Sequence, residues 1–160
     1  MSAPRVEAES DVARRLQEWS ERPSRTRVRA KTISNSAFEK AERETDRMMA
    51  SGEWDDAMPR HFVCLYAMLH ERVYGVSADD LTGTTRVYAA GLASKLLASH
   101  FGGDPCALAE FIRWSWQREK SREEWRRANG VEGRRMHWRW QFGLSMVTDY
   151  RRVLASKSGR

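Results

Sequence analysis

The chain lacks the residue patterns that most enzymes and metalloproteins carry. No two of its four histidines are three or four residues apart, the spacing that places two metal ligands on one helical face. Its two cysteines, Cys64 and Cys106, are far apart in the sequence. The adjacent glycines Gly102 and Gly103 are not followed by the lysine of a phosphate-binding loop. We therefore predict a protein that is not an enzyme, with no catalytic residues, no metal site and no cofactor.

Long hydrophobic runs are also missing. No stretch approaches the roughly 20 consecutive apolar residues that a membrane-spanning helix needs. The residues from Met1 to Leu16 include no apolar segment of the kind that a secretory signal requires. Isolated cysteines are typical of reducing compartments. These features predict a soluble, cytoplasmic protein with no membrane partner.

Positive charge predominates over negative charge. The sequence has 28 Lys and Arg residues against 22 Asp and Glu, a net charge of +6, and its isoelectric point is about 9.7. Such a chain attracts polyanions through a field that salt screens within about 8 Å at physiological ionic strength. Net charge alone does not distinguish DNA, RNA and an acidic protein surface.

Helical periodicity recurs along the chain, whereas the alternating pattern of strands and internal repeats are missing. The 160 residues are enough for one domain with a substantial core. We predict an all-α fold, a single bundle of about five to six helices. Residues 1–33 would hold a first helix and a flexible basic arm, residues 34–155 the bundle, and residues 156–160 a disordered tail. The predicted helices cover residues 6–21, 36–51, 59–74, 84–100, 105–128 and 132–155.

The basic arm contains five cations and no acid within the ten residues from Arg22 to Lys31. A flexible cationic segment can follow a phosphate backbone and become ordered on contact. Its alternative interpretation is a solvated linker or a patch for an acidic protein. The candidate nucleic-acid-binding residues in the arm are Arg25, Arg27, Arg29 and Lys31.

The region from Trp114 to Trp140 holds five of the seven tryptophans, together with eight Arg or Lys residues and four Glu. Cations that displace counterions and rings that stack on bases suit a nucleic-acid surface. Between Arg118 and Arg127 the cations alternate with Glu, which is more typical of an ion-paired, solvated helix face. Beyond it, Arg134, Arg135 and Arg139 have only Glu132 nearby, so we identify them as phosphate-binding candidates.

The tryptophans of this region fall on different helix faces. Trp116 and Trp140 are predicted to lie in the core, and Trp140 shares a helical stripe with Met136, Leu144, Val147 and Leu154. That stripe suits an internal core or a second copy of the chain in a homodimer. On the same helix Trp138 would point about 200° away from Trp140. Two interpretations of Trp138 stay open: it is an exposed nucleic-acid-binding residue, or it lies under the preceding helix.

A helix-turn-helix is a further interpretation, for the segment from His70 to Ala90. Gly75 and Leu81 match turn and packing positions of that motif. Glu71 stands where a small residue usually packs, and Gly83 interrupts the expected recognition helix. The match is therefore incomplete.

Three aromatic and basic segments, Phe111 to Glu119, Glu132 to Phe142 and Asp149 to Arg151, cover much of the last third of the chain. They resemble small basic helical proteins of bacteriophages and prophages. The resemblance implies an accessory factor for DNA replication, recombination or transcription control, without assigning individual site residues. We predict a nucleic-acid-associated protein, and the resemblance implies that DNA rather than RNA is its partner. The alternative is an inhibitor or adaptor that binds an acidic surface of a larger enzyme.

Overall fold

A computed structural model describes the backbone of residues 27–159 and the side chains from Ala37 onward. Within these residues the protein forms six helices and no strand, which confirms the predicted all-α class. No helix in this range is long and apolar enough to cross a bilayer. The helices are α1 (Arg27–Ser51), α2 (Pro59–Tyr74), α3 (Gly83–His100), α4 (Pro105–Asn129), α5 (Trp138–Gln141) and α6 (Leu144–Ser158).

Helix α1 begins nine residues before the predicted capping box at Ser36. Neither glycine nor proline occurs between Arg27 and Ser51, and the Arg, Lys and Ala residues at its start favour helix. The part of the predicted flexible arm from residue 27 to residue 31 is therefore helical. Residues 1–26, including the predicted helix over residues 6–21, lie outside the described part of the chain.

The boundaries of α2 and α4 agree with those predicted from capping residues. Pro59 is the first residue of α2, and Gly75 ends it in the left-handed conformation at φ 73°. The Asp104 side chain accepts a hydrogen bond from the Cys106 amide at the start of α4. Gly130 ends that helix at φ 64°, again in a region that glycine adopts without steric cost. These local signals place two of the longest helices.

Helix α2 forms the centre of the bundle and packs against α1, α3 and α4. Its residues Phe62, Val63, Leu65 and Tyr66 are fully buried. Trp116 of α4 packs in this core, with its ring centroid 5.6 Å from that of Tyr66. The predicted burial of Trp116 is confirmed.

The connection between α2 and α3 does not fit a helix-turn-helix. It extends over residues 75–82, longer than the three- or four-residue turn of that motif. Thr82 caps α3 by accepting a hydrogen bond from the Thr85 amide at 3.3 Å. Gly83 is therefore the first residue of α3 and not an interruption within it.

The predicted continuous helix over residues 132–155 is wrong. Residues 131–137 are non-helical, and α5 and α6 are separated at Gly143. A Cβ atom at Gly143 would lie 2.6 Å from the Arg139 carbonyl oxygen, so the chain turns tightly there. Because the helix is interrupted, the predicted stripe is divided: Met136 and Val147 are buried, while the residues Trp140, Leu144 and Leu154 are exposed. Helix α6 also continues to Ser158, into the predicted disordered tail.

A buried histidine links α1 to the start of α2. His61 Nε2 lies 2.8 Å from Glu44 Oε2, and His61 Nδ1 accepts a hydrogen bond from the Met58 amide at 2.8 Å. Protonation at Nδ1 would remove that acceptor and place a cation at a helix N-terminus. Burial lowers the pKa of His61 despite the opposing hydrogen bond to Glu44. The hydrogen bond from His61 lowers the pKa of Glu44.

This arrangement predicts that acid destabilises the fold. Both folded-state pKa values lie below their unfolded values, so the stabilisation is present above the unfolded pKa and is lost as pH falls. The contribution of His61 to the free energy of unfolding should decline as the pH falls below 6.5, the ordinary pKa of a histidine. We expect the free energy of unfolding, measured by urea denaturation, to fall less between pH 7.5 and pH 5 in His61→Gln than in the native protein. His100→Gln is the control, and equal pH dependence in all three proteins would contradict the prediction.

Candidate nucleic-acid interface

The residues from Val131 to Trp140, here called the basic segment, expose three arginines and insert two apolar side chains into the bundle. Met136 and Trp138 are buried, whereas Arg135 and Arg139 are exposed. Residues 131–137 are non-helical and α5 begins at Trp138, so a short stretch of chain carries both kinds of side chain. The segment is attached to the bundle through Met136 and Trp138.

A buried tyrosine and a buried glutamate hold the middle of the basic segment. The Tyr74 hydroxyl accepts a hydrogen bond from the Met136 amide at 2.6 Å and donates one to Glu119 Oε1 at 2.7 Å. Glu119 also accepts from Arg126 Nη2 at 2.5 Å. Burial raises the pKa of Tyr74, so its hydroxyl keeps the proton that it donates. This chain of hydrogen bonds joins α2, α4 and the basic segment.

A second tyrosine anchors the same residues from the other side. The Tyr66 hydroxyl lies 2.9 Å from both the Met136 carbonyl oxygen and Asp80 Oδ2. Asp80 Oδ2 accepts in addition from the Trp138 amide at 3.1 Å. Burial is the main cause that raises the pKa of Tyr66, and the neighbouring Asp80 carboxylate raises it further. The backbone at Met136 and Trp138 is thus held by side chains of the core.

The predicted phosphate-binding arginines project from this anchored backbone. Arg134, Arg135 and Arg139 are exposed, and none forms an ion pair with any residue between 37 and 159. The Arg135 guanidinium lies 5.8 Å from the Tyr74 ring centroid, and that of Arg139 lies 5.1 Å from the Trp138 ring centroid. These three predicted site residues lie on one segment, and the described part of the chain supplies no ion-pair partner for any of them.

Of the two open interpretations of Trp138 the structure shows the buried one, and the predicted burial of Trp140 is wrong. Trp138 is 3% exposed and belongs to the core, so its assignment as a nucleic-acid-binding residue is wrong. Trp140, predicted to be buried, is 47% exposed. Both residues lie in α5, so the expected opposition of their side chains holds, but Trp138 and not Trp140 faces the core. Gly133 and Gly143 flank the region and indicate in the sequence that the helix is interrupted, because glycine disfavours helix interiors.

The remaining predicted site residues belong to the arm. Arg25 lies outside the described residues. Arg27, Arg29 and Lys31 lie in the first turns of α1 by their backbone, and their side chains are outside the described part of the chain. The structure therefore places the backbone of Arg27, Arg29 and Lys31 on a helix without relating these residues to the basic segment.

Cations in the second half of α4 are used within the fold. Arg126 pairs with Glu119 and Glu123, and Arg127 pairs with Glu123. The Arg127 guanidinium also donates to the Val73 and Tyr74 carbonyl oxygens at the end of α2. The predicted ion pairing of this helix is confirmed, although Glu119 is buried and not solvated. These arginines are poorer phosphate candidates than those of the basic segment.

The Tyr74 anchor carries a testable contribution to stability. Tyr74→Phe would leave the Met136 amide and Glu119 without this hydroxyl, and a buried polar group without a partner costs about 1–3 kcal/mol. We expect the free energy of unfolding in urea to fall by about that amount, with faster hydrogen exchange at the Met136 amide. Tyr88→Phe is the matched control, because Tyr88 is 63% exposed. Equal stability of the two variants would show that the anchor contributes nothing.

No group of three His, Cys, Asp or Glu side chains in the described residues is arranged to hold a metal ion. The sequence matches no protein-family model, and comparisons with curated proteins and with solved structures found no similar protein.

Proposed function

We propose that the protein is a non-enzymatic nucleic-acid-binding accessory protein, with DNA as the favoured partner. The observation that carries the proposal is the set of exposed arginines on the anchored basic segment, which form no ion pair with the described residues. Arginines at a surface gain affinity for phosphates by releasing condensed counterions. Because buried hydrogen bonds already hold the backbone, little of that affinity is lost in ordering it. The arm residues Arg25, Arg27, Arg29 and Lys31 would add further phosphate contacts.

The resemblance of the last third of the chain to phage-type accessory proteins supports DNA over RNA. It also supports a role in replication, recombination or transcription control. Exposed Trp140 lies next to Arg139 and offers a ring for stacking on a base. Together these features favour contacts to the backbone and to unpaired bases over sequence readout in a groove.

A second candidate function is an inhibitor or adaptor that binds an acidic surface of another protein. Two exposed tryptophans favour it, since Trp125 is 60% exposed and Trp140 is 47% exposed. Tryptophan is enriched among the residues that dominate protein-protein binding energies. Such a complex would depend on one cognate partner and much less on ionic strength.

Fluorescence anisotropy with labelled duplex and single-stranded DNA across a salt series tests the proposal. We expect binding whose affinity falls steeply with salt, because each phosphate contact releases counterions. Polyglutamate serves as the acidic competitor and should displace DNA poorly. Absence of binding even at low salt would reject the nucleic-acid proposal and favour the protein-binding alternative.

A further inference from the structure

A groove of about 810 Å³ lies between α4 and α6, built from residues other than the basic segment. Its α4 side is formed by Trp114, Gln117 and Arg118, and its α6 side by Asp149, Arg152 and Lys157. Three cations and one carboxylate line it, a net charge of +2. The groove therefore complements an anion.

The carboxylate compensates this charge only weakly. Asp149 lies 3.6 Å from Arg118 Nη1 and 3.9 Å from Arg152 Nη1, at the long end of ion-pair distances, and all three side chains are more than one third exposed. Ion pairs of this kind contribute little free energy because solvent screens them. Lys157 forms no ion pair with the described residues. Each cation is thus available to a stronger anionic partner.

The apolar part of the groove is held by packing. The half-buried Trp114 ring lies 5.1 Å from Tyr150 and 6.5 Å from Phe111, measured between ring centroids. The Arg118 guanidinium lies 5.5 Å from the Trp114 ring centroid. An indole packed against other rings and flanked by exposed cations suits a ligand with both a planar ring and a negative charge.

We infer that this groove binds a single-stranded nucleic-acid segment. Arg118, Arg152 and Lys157 contact its phosphates, and an unpaired base packs against Trp114. The inference rests on the proposed function and adds strandedness to it. In a duplex the faces of the bases are stacked on one another, whereas a single strand offers a face to an aromatic side chain. An acidic peptide would pair with the cations, but it would not offer an aromatic ring beside each negative charge, as a nucleic acid does.

Replacement of Asp149 tests this inference through an expected gain of affinity, whereas replacement of the cations should cause a loss. The Asp149 carboxylate competes with phosphate for Arg118 and Arg152, so its neutralisation should strengthen binding. We expect Asp149→Asn to tighten binding to oligothymidine severalfold. The combined replacement Arg118→Ala, Arg152→Ala and Lys157→Ala should weaken binding to oligothymidine at least about tenfold. It should also reduce the magnitude of the salt slope, which is the slope of the logarithm of the binding constant against the logarithm of the salt concentration, by about 2, because each phosphate contact to a single strand contributes about 0.7 to that slope.

The experiment compares oligothymidine of about ten nucleotides with a duplex of equal length by anisotropy. A control variant replaces Arg43, Arg72 and Lys95 with alanine, three exposed cations that do not line the groove. Circular dichroism and urea unfolding establish that each variant is folded. In the native protein, NMR titration should shift the Gln117 side-chain amide on addition of oligothymidine.

The outcomes separate this inference from the proposed function. If the groove and control variants lose oligothymidine affinity equally while DNA still binds, the groove assignment is overturned and the proposed function stands. If the groove variant loses as much affinity for the duplex as for oligothymidine, the single-strand preference is overturned. If polyglutamate binds through the same three cations and oligothymidine does not, an acidic protein is the occupant. No binding of any nucleic acid overturns both proposals.

Discussion

Replacing Arg134, Arg135 and Arg139 together with alanine is expected to weaken binding to duplex DNA at least about tenfold at low salt. Each lost phosphate contact should also reduce the magnitude of the salt slope by about 1, so the triple variant should be shallower by about 2 to 3. The measurement is fluorescence anisotropy across a salt series. Affinity for unrelated DNA sequences should fall alike, because phosphate contacts carry no sequence information.

The structure indicates why the three substitutions should leave the fold intact. All three side chains are exposed and form no ion pair within the described residues. The backbone that carries them is held instead by Tyr74 and Asp80, which contact the amides of Met136 and Trp138. Helicity measured by circular dichroism should therefore not change.

The control variant with alanine at Arg43, Arg72 and Lys95 removes the same charge from other exposed positions. If this control weakens DNA binding as much as the triple variant, net charge alone accounts for the binding. An unchanged salt slope in the triple variant would contradict the assignment of these arginines as phosphate contacts.

Trp138→Ala is expected to cause the largest loss of stability among the single substitutions considered. Truncation of a buried tryptophan costs about 3–5 kcal/mol, against a total stability of about 5–15 kcal/mol for a typical domain. Trp138 is 3% exposed, and its indole Nε1 has no hydrogen-bond partner among the residues that the structure describes. Its contribution therefore comes from burial and packing. Urea denaturation measures the change in the free energy of unfolding.

Trp140→Ala supplies the matched control two residues away. Trp140 is 47% exposed, so its truncation should cost about 1 kcal/mol or less. A larger loss of stability in Trp140→Ala than in Trp138→Ala would support the continuous helix predicted from sequence, in which Trp140 faces the core. Trp138→Phe should retain more stability than Trp138→Ala, because it keeps a ring and loses no hydrogen bond.

The sequence predicted the exposure of the candidate arginines better than it predicted the environments of the two tryptophans. Arg134, Arg135 and Arg139 are exposed, as a phosphate-binding role requires, because charged side chains without partners stay in water. Trp138 and Trp140 were assigned from helical angles. Both residues lie in α5, where the angle between them still applies. The stripe that was expected to turn Trp140 towards the core is broken, because residues 131–137 are non-helical and a new helix begins at Leu144. The broken helix thus leaves Trp140 exposed, whereas Trp138 takes the buried one of its two interpretations.

The sequence by itself determined the helical class and the limits of the helices that have strong end signals. Asp104 with Pro105 at one end of α4 and Gly130 at the other act through contacts within a few residues, so they can be recognised without the fold. The same holds for Pro59 and Gly75 of α2. Local backbone conformation and capping are sufficient for these predictions.

Only the tertiary structure decided where the C-terminal helix breaks, which charges are buried and which surfaces exist. Tyr74 and Met136 are 62 residues apart in sequence, yet their hydrogen bond helps to hold the basic segment. The groove likewise joins Arg118 of α4 to Arg152 and Lys157 of α6. Such contacts satisfy buried polar groups and bring distant charges together, and their free energies depend on packing that no local sequence pattern encodes.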